Sequence, residues 1–83
     1  MNIFIAKLSF RTTSEVLKEI FEEYGEVASA KVIMDHATGR SKGYGFVEMP
    51  NDEEAVKAID ELNNAEIEGN KVVVKKANPR NNG

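Results

Sequence analysis

Eight consecutive residues, Lys42-Gly43-Tyr44-Gly45-Phe46-Val47-Glu48-Met49, carry the densest chemistry in the chain. As a strand they alternate, with Lys42, Tyr44, Phe46 and Glu48 on one face and Gly43, Gly45, Val47 and Met49 on the other. Lysine and glutamate are seldom buried without partners, so the face with the rings is expected to be open. Rings shown to water are costly, and a flat π surface that stacks nucleic-acid bases gives them a use. The two glycines are expected to let a helix close on the hidden side. The competing reading makes Tyr44 and Phe46 ordinary core and the glycines marks of an edge strand.

The elements around this stretch must hold it. Residues 2–8 are β-branched and aromatic, a first strand with Ile3 and Ile5 on one face and Asn2, Phe4 and Ala6 on the other. Thr12 and Glu15 have capping-box spacing, and Val16, Leu17, Ile20, Phe21 and Tyr24 follow as a helical stripe that Gly25 ends. Residues 26–34 read as a second strand, with Ala30, Val32 and Met34 on one face and Ser29, Lys31 and Ile33 on the other. A turn-rich loop, residues 35–41, returns the chain into the opening octet. Asn51 and Glu54 repeat the cap spacing before a second stripe, Ala55, Val56, Ala58, Ile59 and Leu62. A turn or small hairpin over 65–70 leads to a last strand, 71–76.

The order β-α-β-β-α-β gives both helices one way to bury their stripes: together, on one side of a four-stranded antiparallel sheet. That is an α+β, ferredoxin-like sandwich. Right-handed crossovers make the first and third strands central neighbours, which sets Phe4 beside Tyr44 and Phe46. The three rings are expected side by side in one plane on the uncovered surface. Residues 1–77 form the domain, and 78–83 are expected to be a flexible tail.

The 83 residues suffice for one domain. The chain has no cysteine, which excludes disulfides, zinc knuckles and a thiol nucleophile, and its one histidine, His36, lies in a loop. No cofactor or metal is expected. No apolar run is long enough for a membrane span and residues 1–3 lack a basic secretory start, so a soluble protein of the cytoplasm is expected; a monomer is expected as well. The net charge of −3 argues against a nucleic-acid partner until it is read by place. The acids fall mostly on the two helices and the loop after the second, whereas Lys7, Lys31, Arg40, Lys42, Lys75, Lys76 and Arg80 fall on strands, the long loop and the tail. Exposed charges further apart than about 8 Å are screened at physiological salt, so a local basic face can bind phosphate on an acidic protein.

Residues 42–49 resemble the eight-residue ribonucleoprotein motif of the RNA recognition motif family, and Ile3-Phe4-Ile5-Ala6-Lys7-Leu8 resembles its six-residue companion. The likeness spans roughly residues 2–77 and is similar to small single-motif bacterial RNA-binding proteins and to glycine-rich RNA-binding proteins. Lys7 stands where the family commonly has asparagine, and Met49 replaces a final aromatic on the helix-facing side. The resemblance implies single-stranded RNA as partner, with single-stranded DNA the alternative, in post-transcriptional regulation or RNA chaperoning. It implies that Phe4 and Tyr44 stack bases, that Phe46 presses on the sugars between them and that Lys42 meets a phosphate. Lys31, Arg40, Lys75 and Arg80 extend the basic rim, and Asn2, Ile33 and Val73 line the face. A protein-interaction module on the same fold is the rival reading, but such variants often lose the exposed rings. A hydrolase on this fold lacks support, because no glycine-rich phosphate loop precedes the first helix. No enzymatic activity and no small-molecule substrate are expected.

Overall fold

A computed structural model describes residues 1–77, so the expected tail at 78–83, with Arg80, lies outside the described residues. The first strand, β1 (Asn2–Ala6), is followed by α1 (Ser14–Glu22), β2 (Ser29–Met34), β3 (Ser41–Glu48) and α2 (Asp52–Leu62). A hairpin of β4 (Glu66–Ile67) and β5 (Asn70–Lys71) precedes the last strand, β6 (Val73–Ala77). Four strands form an antiparallel sheet in the order β2-β3-β1-β6, with β1 and β3 at its centre. This is the ferredoxin-like arrangement that the alternation of strands and helices requires.

Period decides what each element hides. Ile3, Ile5, Val47 and Val74 of the sheet, with Met49 and Val72 just outside its strands, enter one core with Leu17 and Phe21 of α1 and Ala55, Ala58 and Leu62 of α2. Val56 leaves the expected stripe and is 53% exposed, because the turn of α2 that buries Ala55 and Ala58 carries the residue between them outward. Val16 is half-buried for the same reason of phase.

The helix starts show how closely local chemistry fixes the chain. Thr13, one residue later than expected, caps α1 by accepting from the Val16 N–H at 3.2 Å. Thr12 is buried instead, its hydroxyl donating to Glu68 at 2.7 Å and tying the start of α1 to the β4–β5 turn. Asn51 caps α2 as expected, accepting from the Glu54 N–H at 3.0 Å. The Glu54 carboxylate accepts from the Glu26 N–H and lies where a side chain at residue 25 would stand, so Gly25 serves this contact between loop and helix. The helix itself ends earlier, with Glu23 as its C-cap.

Irregularities of the strands also correct the simple alternation. β2 begins at Ser29, and its register with β3 shifts between Val32 and Met34. After this bulge Met34 turns outward, 49% exposed, instead of joining Ala30 and Val32. The Val32 N–H is met by Ser14 Oγ at 2.9 Å. Lys71 belongs to the small hairpin, and β6 starts two residues later than the expected last strand. Among the described residues no helix is long and apolar enough to cross a membrane.

Candidate nucleic-acid interface

The uncovered face of the sheet is built in transverse lines. Lys31 of β2 faces Phe46 of β3, Phe46 faces Phe4 of β1, and Phe4 faces Lys75 of β6. A cation, two rings and a second cation therefore cross all four strands, about 14 Å at the usual strand spacing. Lys75 Nζ stands 5.6 Å from the centroid of the Phe4 ring, within cation–π reach. The neighbouring line places Tyr44 opposite Ala6 and Ala6 opposite Val73, so small and aliphatic side chains leave the tyrosine ring room.

The three rings gather as the alternation requires, but they are not coplanar. Phe4 and Phe46 lie 5.4 Å apart at 53°, Phe4 and Tyr44 5.9 Å apart at 41°, and Tyr44 and Phe46 6.4 Å apart at 88°. Positive ring edges prefer negative ring faces, so packed rings tilt against one another. Phe46 is 42% exposed, while Phe4 and Tyr44 are half-buried.

Glycine sets this geometry in a way that differs from the expectation of a closely packed helix. A Cβ at Gly45 would stand 2.5 Å from the Lys31 carbonyl oxygen and 3.1 Å from Val32 Cα. The missing side chain thus admits the neighbouring strand, and that approach brings Lys31 beside Phe46. Gly43 adopts a φ of +84°, a left-handed conformation that suits glycine, and its N–H donates to Ser41 Oγ at 3.0 Å. Both glycines answer to the backbone of the sheet itself.

Of the other residues singled out, Ile33 and Val73 are half-buried in strands of the sheet, and Asn2 stands opposite Glu48. Lys42 and Arg40 are exposed toward the β2–β3 hairpin, outside the line of rings and cations. Asp35 closes that loop by accepting from the Ala37 and Thr38 N–H groups. Lys76 pairs with buried Ile3 across β1, which turns it away from the open face. Arg80 lies outside the described residues.

Beside Phe46 lies a recess of ≈ 370 Å³ whose wall includes Ser29, Glu48 and Ala77 together with the expected Asn2 and Lys31. The sequence held a signal for two of these, since Ser29 and Glu48 are two residues from Lys31 and Phe46 and so share their face. Among the described residues no three His, Cys, Asp or Glu side chains gather where a cation could sit. The arrangement offers stacking, cation–π contact and phosphate attraction on one side of a sheet.

The RNA recognition motif family model matches residues 3–73. RbpB of Nostoc sp. strain PCC 7120 is 44% identical over 80 residues, 96% of this chain and 78% of that protein. The crystal structure of RNA Binding Protein PG1 superimposes with a TM-score of 0.93 at 46% identity, covering 98% of each chain. The Sxl-lethal protein/RNA complex is similar at 35% identity and a TM-score of 0.86, over 92% of this chain and 47% of that one.

Proposed function

The chain belongs to the RNA recognition motif family, and from that premise we propose that it binds single-stranded RNA across its open sheet face, stacking bases on aromatic rings. The observation that carries this reading is the line Lys31–Phe46–Phe4–Lys75, two rings between two cations on the surface that no helix of the described residues covers. Similarity to an RNA-binding protein and to a protein seen in complex with RNA supports it.

The exposures favour exchanging two of the roles that the resemblance implies. Phe46 is the most open of the three rings and shares its line with Phe4 and both cations, so Phe4 and Phe46 are assigned the bases. Tyr44, half-buried and displaced to the next line, is assigned the sugars between them. Lys31 and Lys75 attract the flanking phosphates, with Lys42 and Arg40 extending the path toward the hairpin. The protein acts as a monomer in the cytoplasm, in post-transcriptional regulation or RNA chaperoning, and without catalysis.

Each stacked ring is worth roughly 1–3 kcal/mol by alanine substitution. Two such contacts with phosphate attraction give about −6 to −8 kcal/mol, a Kd from tens of micromolar to about micromolar. Fluorescence anisotropy with a labelled mixed-sequence RNA octamer tests the proposal, with the matching DNA as comparison. Phe4→Ala and Phe46→Ala are each expected to weaken binding at least about tenfold, and Tyr44→Ala less. Titration curves unmoved by either phenylalanine substitution would remove the stacking claim.

A further inference from the structure

The recess beside Phe46 contains a group whose charge opposes phosphate attraction on the open face. Glu48 lines this recess and, alternating with buried Val47, lies on the same side of the sheet as Lys31 and Lys75. Among the described residues no ion pair engages it. A negative charge there repels the sugar–phosphate chain, so any favourable contact it makes is with a hydrogen-bond donor. An ionised carboxylate has acceptors alone, arranged as a pair.

Resting on the reading that Phe46 carries a base, we propose that Glu48, flanked by Asn2 and Ser29, forms a base-reading subsite that selects guanine. Glu48 follows Phe46 by two residues on one strand, about 7 Å along the sheet. Asn2 and Ser29 stand directly opposite it on either side. A base lying on Phe46 and reaching into the recess brings its pairing edge over this line of three polar side chains. The volume, ≈ 370 Å³, is near the lower end for small-molecule sites and fits a single base.

The donor pattern decides which base. Guanine presents its N1–H and N2 amine side by side, one donor for each carboxylate oxygen, and leaves O6 for the Asn2 amide or the Ser29 hydroxyl. Uracil turns two carbonyl oxygens and one N–H toward the same groups. Adenine and cytosine each set one amine beside a ring acceptor. For these three bases an acceptor meets the carboxylate unpaired, which opposes binding. Guanine alone occupies both oxygens.

Anisotropy titrations of the full chain test this with a labelled uracil hexamer, the hexamers carrying a single guanine at each position, and the same set with inosine, which lacks the N2 amine. At one position guanine is expected to bind about tenfold tighter than uracil, with inosine losing most of that gain. Glu48→Gln is expected to bring the guanine-to-uracil ratio to within about twofold, and Glu48→Asp, which withdraws the acceptors by one methylene, to leave an intermediate ratio. Binding without guanine preference at any position, inosine equal to guanine, or a preference that survives Glu48→Gln overturns the subsite and leaves single-strand binding standing. Failure of every hexamer to bind overturns the underlying reading and the subsite with it.

Discussion

Ile3, Ile5, Val47 and Met49 alternate along the same two strands with Asn2, Phe4, Phe46 and Glu48, yet the two sets answer to different demands. The first set is sealed beneath α1 and α2, where each side chain must fill a fixed volume. The second set faces outward, where rings and charges stay available to a ligand. Within each of these two strands the parity of residue number therefore separates folding from recognition. The separation predicts that damage on the hidden side appears in unfolding, and damage on the open side in binding.

The largest effect that sharpens this contrast is Phe21→Ala. Phe21 is fully buried between α1 and the sheet, and such truncations cost about 3–5 kcal/mol. Small domains have about 5–15 kcal/mol in total, so urea unfolding should show a large drop in midpoint. Phe46→Ala comes next: binding should fall at least about tenfold, by about 1.4–3 kcal/mol, while the urea midpoint moves little, because the ring is already 42% exposed. An open-face ring whose removal unfolds the protein would break the division between the faces.

The sequence makes the parity rule visible, because hydrophobic alternation and charge placement are both properties of residue order. It correctly separates Ile3 and Ile5 from Phe4, and it puts Lys31, Phe46 and Lys75 on one surface. Events that depend on the neighbouring backbone escape it. Met34 breaks the alternation of β2 because of a register shift, which a single strand read alone does not reveal. Gly45 makes room for the Lys31 carbonyl, a neighbour 14 positions away in the chain. Val56 and Thr12 miss by one step of helical phase, since stripe boundaries and caps depend on the packing that positions the helix. The recess needs Asn2, Ser29 and Glu48 from three strands, and cross-strand register brings them together.

Salt provides a smaller, purely electrostatic probe of the open face. For single strands the logarithm of affinity falls with that of salt at a slope of about −0.7 per phosphate contact. Lys31→Ala and Lys75→Ala should each flatten that slope by about 0.7, whereas Lys76→Ala, on a residue that pairs with Ile3 and turns from the open face, should leave it unchanged. Equal flattening by all three substitutions would mean that phosphate attraction ignores which face a cation occupies.

The smallest effect concerns the point where β1 leaves the sheet and the two faces cease to be defined. Lys7 has a φ of 61°, in the left-handed region that a lysine side chain disfavours. The turn is retained because it lets the Leu8 N–H reach the Gly43 carbonyl at 2.8 Å while the Leu8 side chain enters the core. The Lys7 carbonyl also accepts from the Asn70 amide at 3.2 Å, so both sides of the bend are tied. Asparagine tolerates this backbone better, as its short polar side chain bonds locally. Lys7→Asn is therefore expected to raise stability by about 0.5–1 kcal/mol in urea unfolding. The lysine side chain is exposed at this bend rather than in the line of rings, so the same substitution should reduce RNA affinity by less than Lys31→Ala does. A loss of stability in Lys7→Asn would show that the bend is set by the lysine itself and not imposed on it by the hydrogen bonds around it.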